Sequence, residues 1–242
     1  MTAFTALITF TGRGLLGRRR VLLLLLLAAL PVLVGLLIRI GGGRPDAPNI
    51  LDALGIRTVL PLVALVIGTA VVGSEVDDGT IVYLLTKPIA RWLTALAKIL
   101  VATAATVVIT IPPLIITGIL VGGVGSDAIT TTVGYAVAAA LGGVAYAAVF
   151  TALGAITSRA LLLGLAYTLI WEGVLAGLLE GTRYLSIRQA TLGVAAAMTG
   201  THVGRLDPLP LAVSVGMLIV AIAGGFLVTT YALRRFEVRG GD

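Results

Sequence analysis

Several residue types and motifs are missing from this chain of 242 residues. It has no cysteine, which excludes a disulfide framework and a thiolate metal site. Its single histidine, His202, does not belong to a cluster with metal-ligand spacing, so we expect no bound metal. The phosphate-binding motif G-x-x-x-x-G-K-[ST] does not occur either. We therefore expect that this chain does not hydrolyse ATP and has no catalytic site of its own.

Charge is also scarce. Only 12% of the residues are charged, 58% are hydrophobic, and the mean hydropathy is +1.11. In soluble domains about a quarter of the residues are charged. The composition therefore predicts an integral membrane protein with one membrane domain over residues 1–242. The net charge is +6. The bases cluster at the ends of apolar runs, which favours contact with membrane lipids over binding to nucleic acid.

Six apolar runs predict an all-α membrane fold with six transmembrane helices, because a chain in lipid must satisfy its backbone polar groups internally. The expected spans are about 21–40, 57–74, 96–121, 131–158, 160–179 and 209–233. Pro112 and Pro113 are expected to kink or break the third span. Small residues recur at three-, four- and seven-residue intervals in the fourth span, at Ala136, Ala140, Gly143, Ala147 and Gly154. They predict close packing of helices, with a sliding surface as the alternative.

Two further segments are too polar to span. Residues 1–20 place apolar side chains on one helical face, which predicts an interfacial helix before the first span, with a disordered basic tail as the alternative. Residues 180–208 are expected to form short re-entrant or outer helices between spans 5 and 6, or else a plain surface loop. Eleven of the 17 bases fall on one side of this layout and six on the other. We therefore expect both termini in the cytoplasm and a multi-pass protein of the plasma membrane.

One polar stretch interrupts the apolar sequence, between the second and third spans. Three acids (Glu75, Asp77 and Asp78) are followed by three bases (Lys87, Arg91 and Lys98), a pattern that is expected in a loop that meets water. Residues 78–80 and 86–88 are typical of turns, and residues 81–85 between them predict a short amphipathic helix. An apolar anchor with a charged rim suits docking to a second protein.

The residues of this stretch resemble the first cytoplasmic loop of the ABC-2 family of ABC transporter permeases. The resemblance is carried by Glu75, Asp78-Gly79-Thr80, Leu84-Leu85, Lys87-Pro88-Ile89 and Arg91. It implies a coupling loop over residues 75–95 that docks on a separate ATPase subunit. The candidate coupling residues are Glu75, Asp77, Asp78, Gly79, Thr80, Tyr83, Leu84, Leu85, Lys87, Pro88 and Arg91.

The same resemblance implies an assembly and a function. Two copies of an ABC ATPase subunit would bind ATP and Mg²⁺, and this chain would bind no cofactor. A second permease copy would complete a homodimer or heterodimer that exports a substrate. In that family the segment between spans 5 and 6 caps the outer end of the transport path, so residues 180–208 are expected to form an outer gate.

Two other functions stay open at this point. The acids at 75, 77 and 78 are compatible with a membrane-embedded, Mg²⁺-dependent lipid phosphotransferase, although no second carboxylate cluster accompanies them. A channel or a membrane scaffold without transport activity is the third possibility. Import stays open as an alternative to export, and apolar walls would admit lipids, drugs or peptides as substrates.

Glu172 is the acid that falls within a predicted span, and an intramembrane acid indicates a functional site. It is a candidate for the substrate path or the outer gate, together with Trp171, Tyr184 and Arg188. The alternative is a structural ion pair between Glu172 and either Arg183 or Arg188.

Overall fold

The computed structural model describes residues 18–43, 46–77, 90–176, 180–201, 203 and 207–239, and its regular elements are helices. Helix α1 is Arg18–Ile40. Helix α2 begins as Ala47–Ile50, continues as a π-helix over Leu51–Val59 and ends as Leu60–Asp77. Helix α3 is Arg91–Gly122, and helix α4 is Ser126–Ile156. Helix α5 begins as Ala160–Ala166 and continues as a π-helix over Tyr167–Leu175. A 3₁₀ turn over Glu180–Leu185 precedes helix α6, which is Ile187–Thr199. Helix α7 is Leu211–Arg239.

The all-helical membrane fold is confirmed. Within the described ranges, five helical stretches are long and apolar enough to cross a membrane: Arg20–Ile40, Ala47–Gly73, Arg91–Gly122, Ser126–Ile156 and Leu211–Arg235. The fifth expected span, 160–179, corresponds to the apolar helix Ala160–Leu175, which is shorter than the roughly 20 residues that a span needs. The count of six spans therefore stays a prediction. The interfacial helix predicted for residues 1–20 lies almost entirely outside the described residues.

The second span begins ten residues earlier than the sequence predicts. Pro48 lies in the connection expected between the spans 21–40 and 57–74, whereas in the structure it occupies the first turn of α2. Proline is well tolerated there because the amide that it lacks has no partner within the helix. The earlier start adds the π-helical segment Leu51–Val59 to the bundle.

Helix α3 continues through Pro112 and Pro113 without the break that was one of the two expected outcomes. The residue after the two prolines, Leu114, is buried and packs closely against Gly55 of α2. A Cβ atom added to Gly55 would lie 2.1 Å from Cδ1 of Leu114. The hydroxyl of Thr117 also donates a hydrogen bond to the carbonyl of Pro113, at 2.7 Å.

Helix α4 lies at the centre and packs against α2, α3, α6 and α7. Its glycines permit contact between backbones: a Cβ on Gly154 would lie 2.9 Å from the carbonyl oxygen of Thr69 in α2. From the other side, a Cβ on Gly225 of α7 would lie 2.6 Å from the carbonyl carbon of Ala148. Close packing, predicted for the small residues of this helix, is confirmed at Gly154.

The helices alternate in direction, so the bundle has two distinct ends. We call one the α6 end: α1 and α3 end there, α2, α4 and α7 begin there, and α6 packs against α4 there. There, Arg39 of α1 donates a hydrogen bond to the carbonyl of Leu120 in α3, at 3.2 Å, and Gly122 lies beside Ala47 and Ala128. We call the other the loop end, where α2 ends at Asp77 and α3 begins at Arg91.

Candidate functional site

Three charged side chains are buried together at the α6 end. Asp52 belongs to the π-helical segment of α2, Glu172 to the π-helical segment of α5, and Arg188 to the first turn of α6. Their exposed fractions are 5%, 1% and 7%. Charged groups inside a helical membrane bundle are costly to bury, so they are expected to be paired or to have a function.

Asp52 and Arg188 form a bidentate ion pair. The Nη2 atom of Arg188 lies 2.5 Å from Oδ2 of Asp52, and its Nε atom donates to Oδ1 at 3.2 Å. Two parallel hydrogen bonds fix the planar guanidinium against the carboxylate, and this geometry is the strongest that the pair can adopt. The pair therefore connects α6 directly to α2.

Glu172 makes a different set of contacts. Its Oε1 atom accepts hydrogen bonds from the hydroxyl of Tyr167, at 2.6 Å, and from the backbone amide of Ile187, at 2.9 Å. Its Oε2 atom accepts one from the hydroxyl of Ser186. Ser186 is also the N-cap of α6, where its oxygen accepts from the amide of Gln189 at 3.0 Å. The carboxylate thus lies at the N-terminus of α6, where a negative charge is favoured.

The ion pair expected between Glu172 and Arg183 or Arg188 is not formed. Arg188 pairs with Asp52, while Arg183 donates to the backbone carbonyl of Asp207 at 3.3 Å and lies over the ring of Tyr184. The physical reason is that hydroxyl and amide donors already satisfy the carboxylate of Glu172. The guanidinium of Arg188 is then available to Asp52.

The two π-helical segments contact each other. Arg57 of α2 donates a hydrogen bond to the carbonyl of Gly173 in α5, at 2.5 Å. Behind Glu172, Tyr146 of α4 is fully buried close to the carboxylate and stacks on Phe150 with ring centroids 5.8 Å apart. Mid-helix π-helical turns occur frequently at functional sites, and here two of them carry the two buried acids.

At the loop end, the structure describes only part of the predicted coupling loop. Glu75 and Asp77 belong to the last turns of α2, and Arg91 is the first residue of α3. The other predicted coupling residues, Asp78, Gly79, Thr80, Tyr83, Leu84, Leu85, Lys87 and Pro88, lie outside the described residues. The two helices nevertheless bring both ends of the polar stretch to the same end of the bundle.

Its place in the polar stretch predicted that Lys98 lies in a loop that meets water. The structure shows that it does not. Helix α3 begins at Arg91, so Lys98 lies two turns inside it and is 1% exposed. Its ammonium group donates a hydrogen bond to the carbonyl of Val71 in α2, at 2.8 Å. This contact joins the two helices that lead into the polar stretch.

A family model described as "ABC-2 family transporter protein" matches residues 16–177, about two thirds of the chain. The chain belongs to the ABC-2 transporter family. No curated protein matches it. This ABC-2 protein is therefore a multi-pass membrane protein with the role of a transport permease, as its sequence predicted. The match includes the polar stretch, Asp52 and Glu172, whereas α6 and α7 lie beyond it.

The structure brings the four predicted gate residues of this ABC-2 permease to one place, the α6 end. Trp171 donates from its indole nitrogen to the carbonyl of Leu185, at 3.3 Å, and half-exposed Tyr184 accepts from Arg183 at 3.2 Å. Their role in a gate stays a prediction. Asp52 was not among the predicted site residues, because it lies in the connection expected before the second span. The available signal was an isolated acid within the apolar run 50–56.

Proposed function

We propose that this permease is the transmembrane subunit of an ATP-driven ABC exporter. A separate ATPase subunit, present in two copies, would bind ATP and Mg²⁺ and hydrolyse ATP, and a second permease copy would complete the transport path. Membership of the ABC-2 family supports transport and does not favour a phosphotransferase or a scaffold. The observation that carries the proposal within the structure is that α2 ends and α3 begins on either side of the polar stretch, at one end of the bundle.

Packing at the loop end supports a coupling role for residues 75–91. A docked loop transmits movement only if the helices that carry it move as one unit. Helices α2 and α3 pack against each other, and the buried bond from Lys98 to the carbonyl of Val71 joins them about two turns from the loop. Residues 47–77 form one helical stretch, roughly 45 Å long at about 1.5 Å per residue. This stretch connects the loop to Asp52 at the α6 end.

The proposed orientation follows from the distribution of bases. With the loop end in the cytoplasm, both termini are cytoplasmic, and eleven of the 17 bases lie inside. The α6 end then faces the outside of the plasma membrane, and residues 180–208 form the outer segment. This arrangement requires residues 160–179 to cross the membrane as the fifth of six spans.

The proposal is tested by reversing two charges in the loop, with Glu75→Lys and Asp78→Lys together. If the loop docks on an ATPase, the ATPase encoded by a neighbouring reading frame should no longer copurify with the permease, although the permease still inserts in the membrane. The matched control is Asp127→Lys, at an exposed position in the first turn of α4 at the other end of the bundle. That variant should retain the ATPase. Equal recovery of the ATPase with the unmodified permease, the double loop variant and the Asp127→Lys control would refute docking at the loop.

A further inference from the structure

Three consecutive residues attach the start of α6 to two other helices. Ser186 and the amide of Ile187 bind the carboxylate of Glu172 in α5, and Arg188 binds Asp52 in α2. We propose that these contacts form a lock, the α6 lock, which closes the α6 end of the permease and opens during the transport cycle. The inference rests on the proposed function and adds to it the residues that keep the path closed.

Charge explains why the closed position is stable. The first turn of α6 carries the guanidinium of Arg188 and the partial positive charge of a helix N-terminus, while the two π-helical segments present the carboxylates of Asp52 and Glu172. All three side chains are buried, and charge-assisted hydrogen bonds are stronger where water is excluded. Opening separates these charges, so it needs an energy source, which ATP hydrolysis would supply.

Among the described residues, the contact of α6 with α4 contains no comparable ion pair or carboxylate contact. Gly134 of α4 faces Thr199 of α6, and Gly142 of α4 faces Thr191 of α6. A Cβ atom added to either glycine would lie 2.3 Å from the side chain of the facing threonine. The hydroxyls of both threonines donate to carbonyls of α6 itself, at 2.8 Å. The contact between α4 and α6 is therefore close, but these two hydroxyls do not bond the helices to each other. Once the first turn is released, α6 can separate from α4 without breaking those hydrogen bonds.

Cysteine labelling tests the lock on the permease alone. Thr191 is fully buried in α6, and the chain has no cysteine of its own. With Thr191→Cys as background, Asp52→Asn leaves the guanidinium unpaired and should raise the rate of labelling by a membrane-impermeant thiol reagent by at least about tenfold. Arg188→Met should do the same. The double variant should be labelled more slowly than either single variant, because no unpaired charge remains.

The matched control is Thr106→Cys in α3, which is equally buried but lies outside α6. It should stay protected when Asp52→Asn is added. If labelling is unchanged at position 191, or if positions 191 and 106 become accessible together, the pair does not lock α6 and the proposal is overturned. This arm needs no ATPase, so it gives its answer even if the proposed coupling to an ATPase fails.

A reversible crosslink tests whether the lock opens in turnover. Cβ atoms at Gly134 and Thr199 would lie 3.7 Å apart, which suits a disulfide. In the complex with its ATPase, oxidation of Gly134→Cys/Thr199→Cys should block ATP-driven transport, and reduction should restore it. The control pair Gly122→Cys/Ala128→Cys, whose Cβ atoms would lie 3.3 Å apart at the same end, should stay active when oxidised. Full activity of the first oxidised pair would show that α6 does not move away from α4 and would overturn the proposal.

Discussion

Removing the carboxylate of Glu172 should destabilise the permease by an amount that can be worked out from its contacts. Three buried donors depend on this group: the hydroxyls of Tyr167 and Ser186 and the amide of Ile187. Glu172→Leu leaves all three without an acceptor, whereas Glu172→Gln retains one side-chain oxygen for Tyr167 and Ile187. Both substitutions remove the cost of burying a charge, so this contribution cancels when the two variants are compared.

The expected difference follows from the two donors that glutamine still satisfies. Each buried donor left without a partner costs about 1–3 kcal/mol. Glu172→Leu should therefore be less stable than Glu172→Gln by roughly 2–6 kcal/mol in free energy of unfolding, with the lower part of this range favoured if neighbouring groups rearrange. Reversible unfolding in mixed micelles, followed by far-ultraviolet circular dichroism, measures both values.

A control on the same helix calibrates the assay. The hydroxyl of Thr168 donates only within α5, to the carbonyl of Gly164 at 2.6 Å, so Thr168→Val should cost about 1 kcal/mol. In addition, Arg188→Gln should not restore stability to Glu172→Gln, because Arg188 pairs with Asp52. If the leucine and glutamine variants are equally stable, the three hydrogen bonds do not hold Glu172, and the account of its burial is wrong.

Two other predictions concern packing and orientation. Gly225→Ala should destabilise the permease by about 1–3 kcal/mol, because the new methyl group would lie 2.6 Å from the carbonyl carbon of Ala148; Gly224→Ala, which meets open space, should be neutral or more stable by up to about 1 kcal/mol in the same unfolding assay. Thr201→Cys should react with an impermeant thiol reagent from outside the cell, and labelling from the cytoplasmic side alone would refute the proposed orientation.

The sequence predicted the parts of the fold that depend on local composition. Long apolar runs and a polar stretch between the second and third spans are visible in any short window, and five of the spans correspond to helices of sufficient length. Boundaries that depend on a single residue were less accurate. Pro48 is compatible both with a break and with a first helical turn, and the choice between them depends on what the following turn packs against.

The candidate site shows the same limit more sharply. Glu172 could be found from the sequence because an acid within an apolar run is unfavourable in lipid, but its partners could not. Proximity along the chain favoured Arg183 or Arg188, whereas Arg188 pairs with Asp52, 136 positions away. The physical reason is competition between two acids for one guanidinium. Glu172 lies at the N-terminus of α6, where an amide and two hydroxyls replace a cation, and Asp52 takes the arginine. Which acid has access to such donors is decided by the meeting of α2, α5 and α6, and no local pattern encodes that meeting.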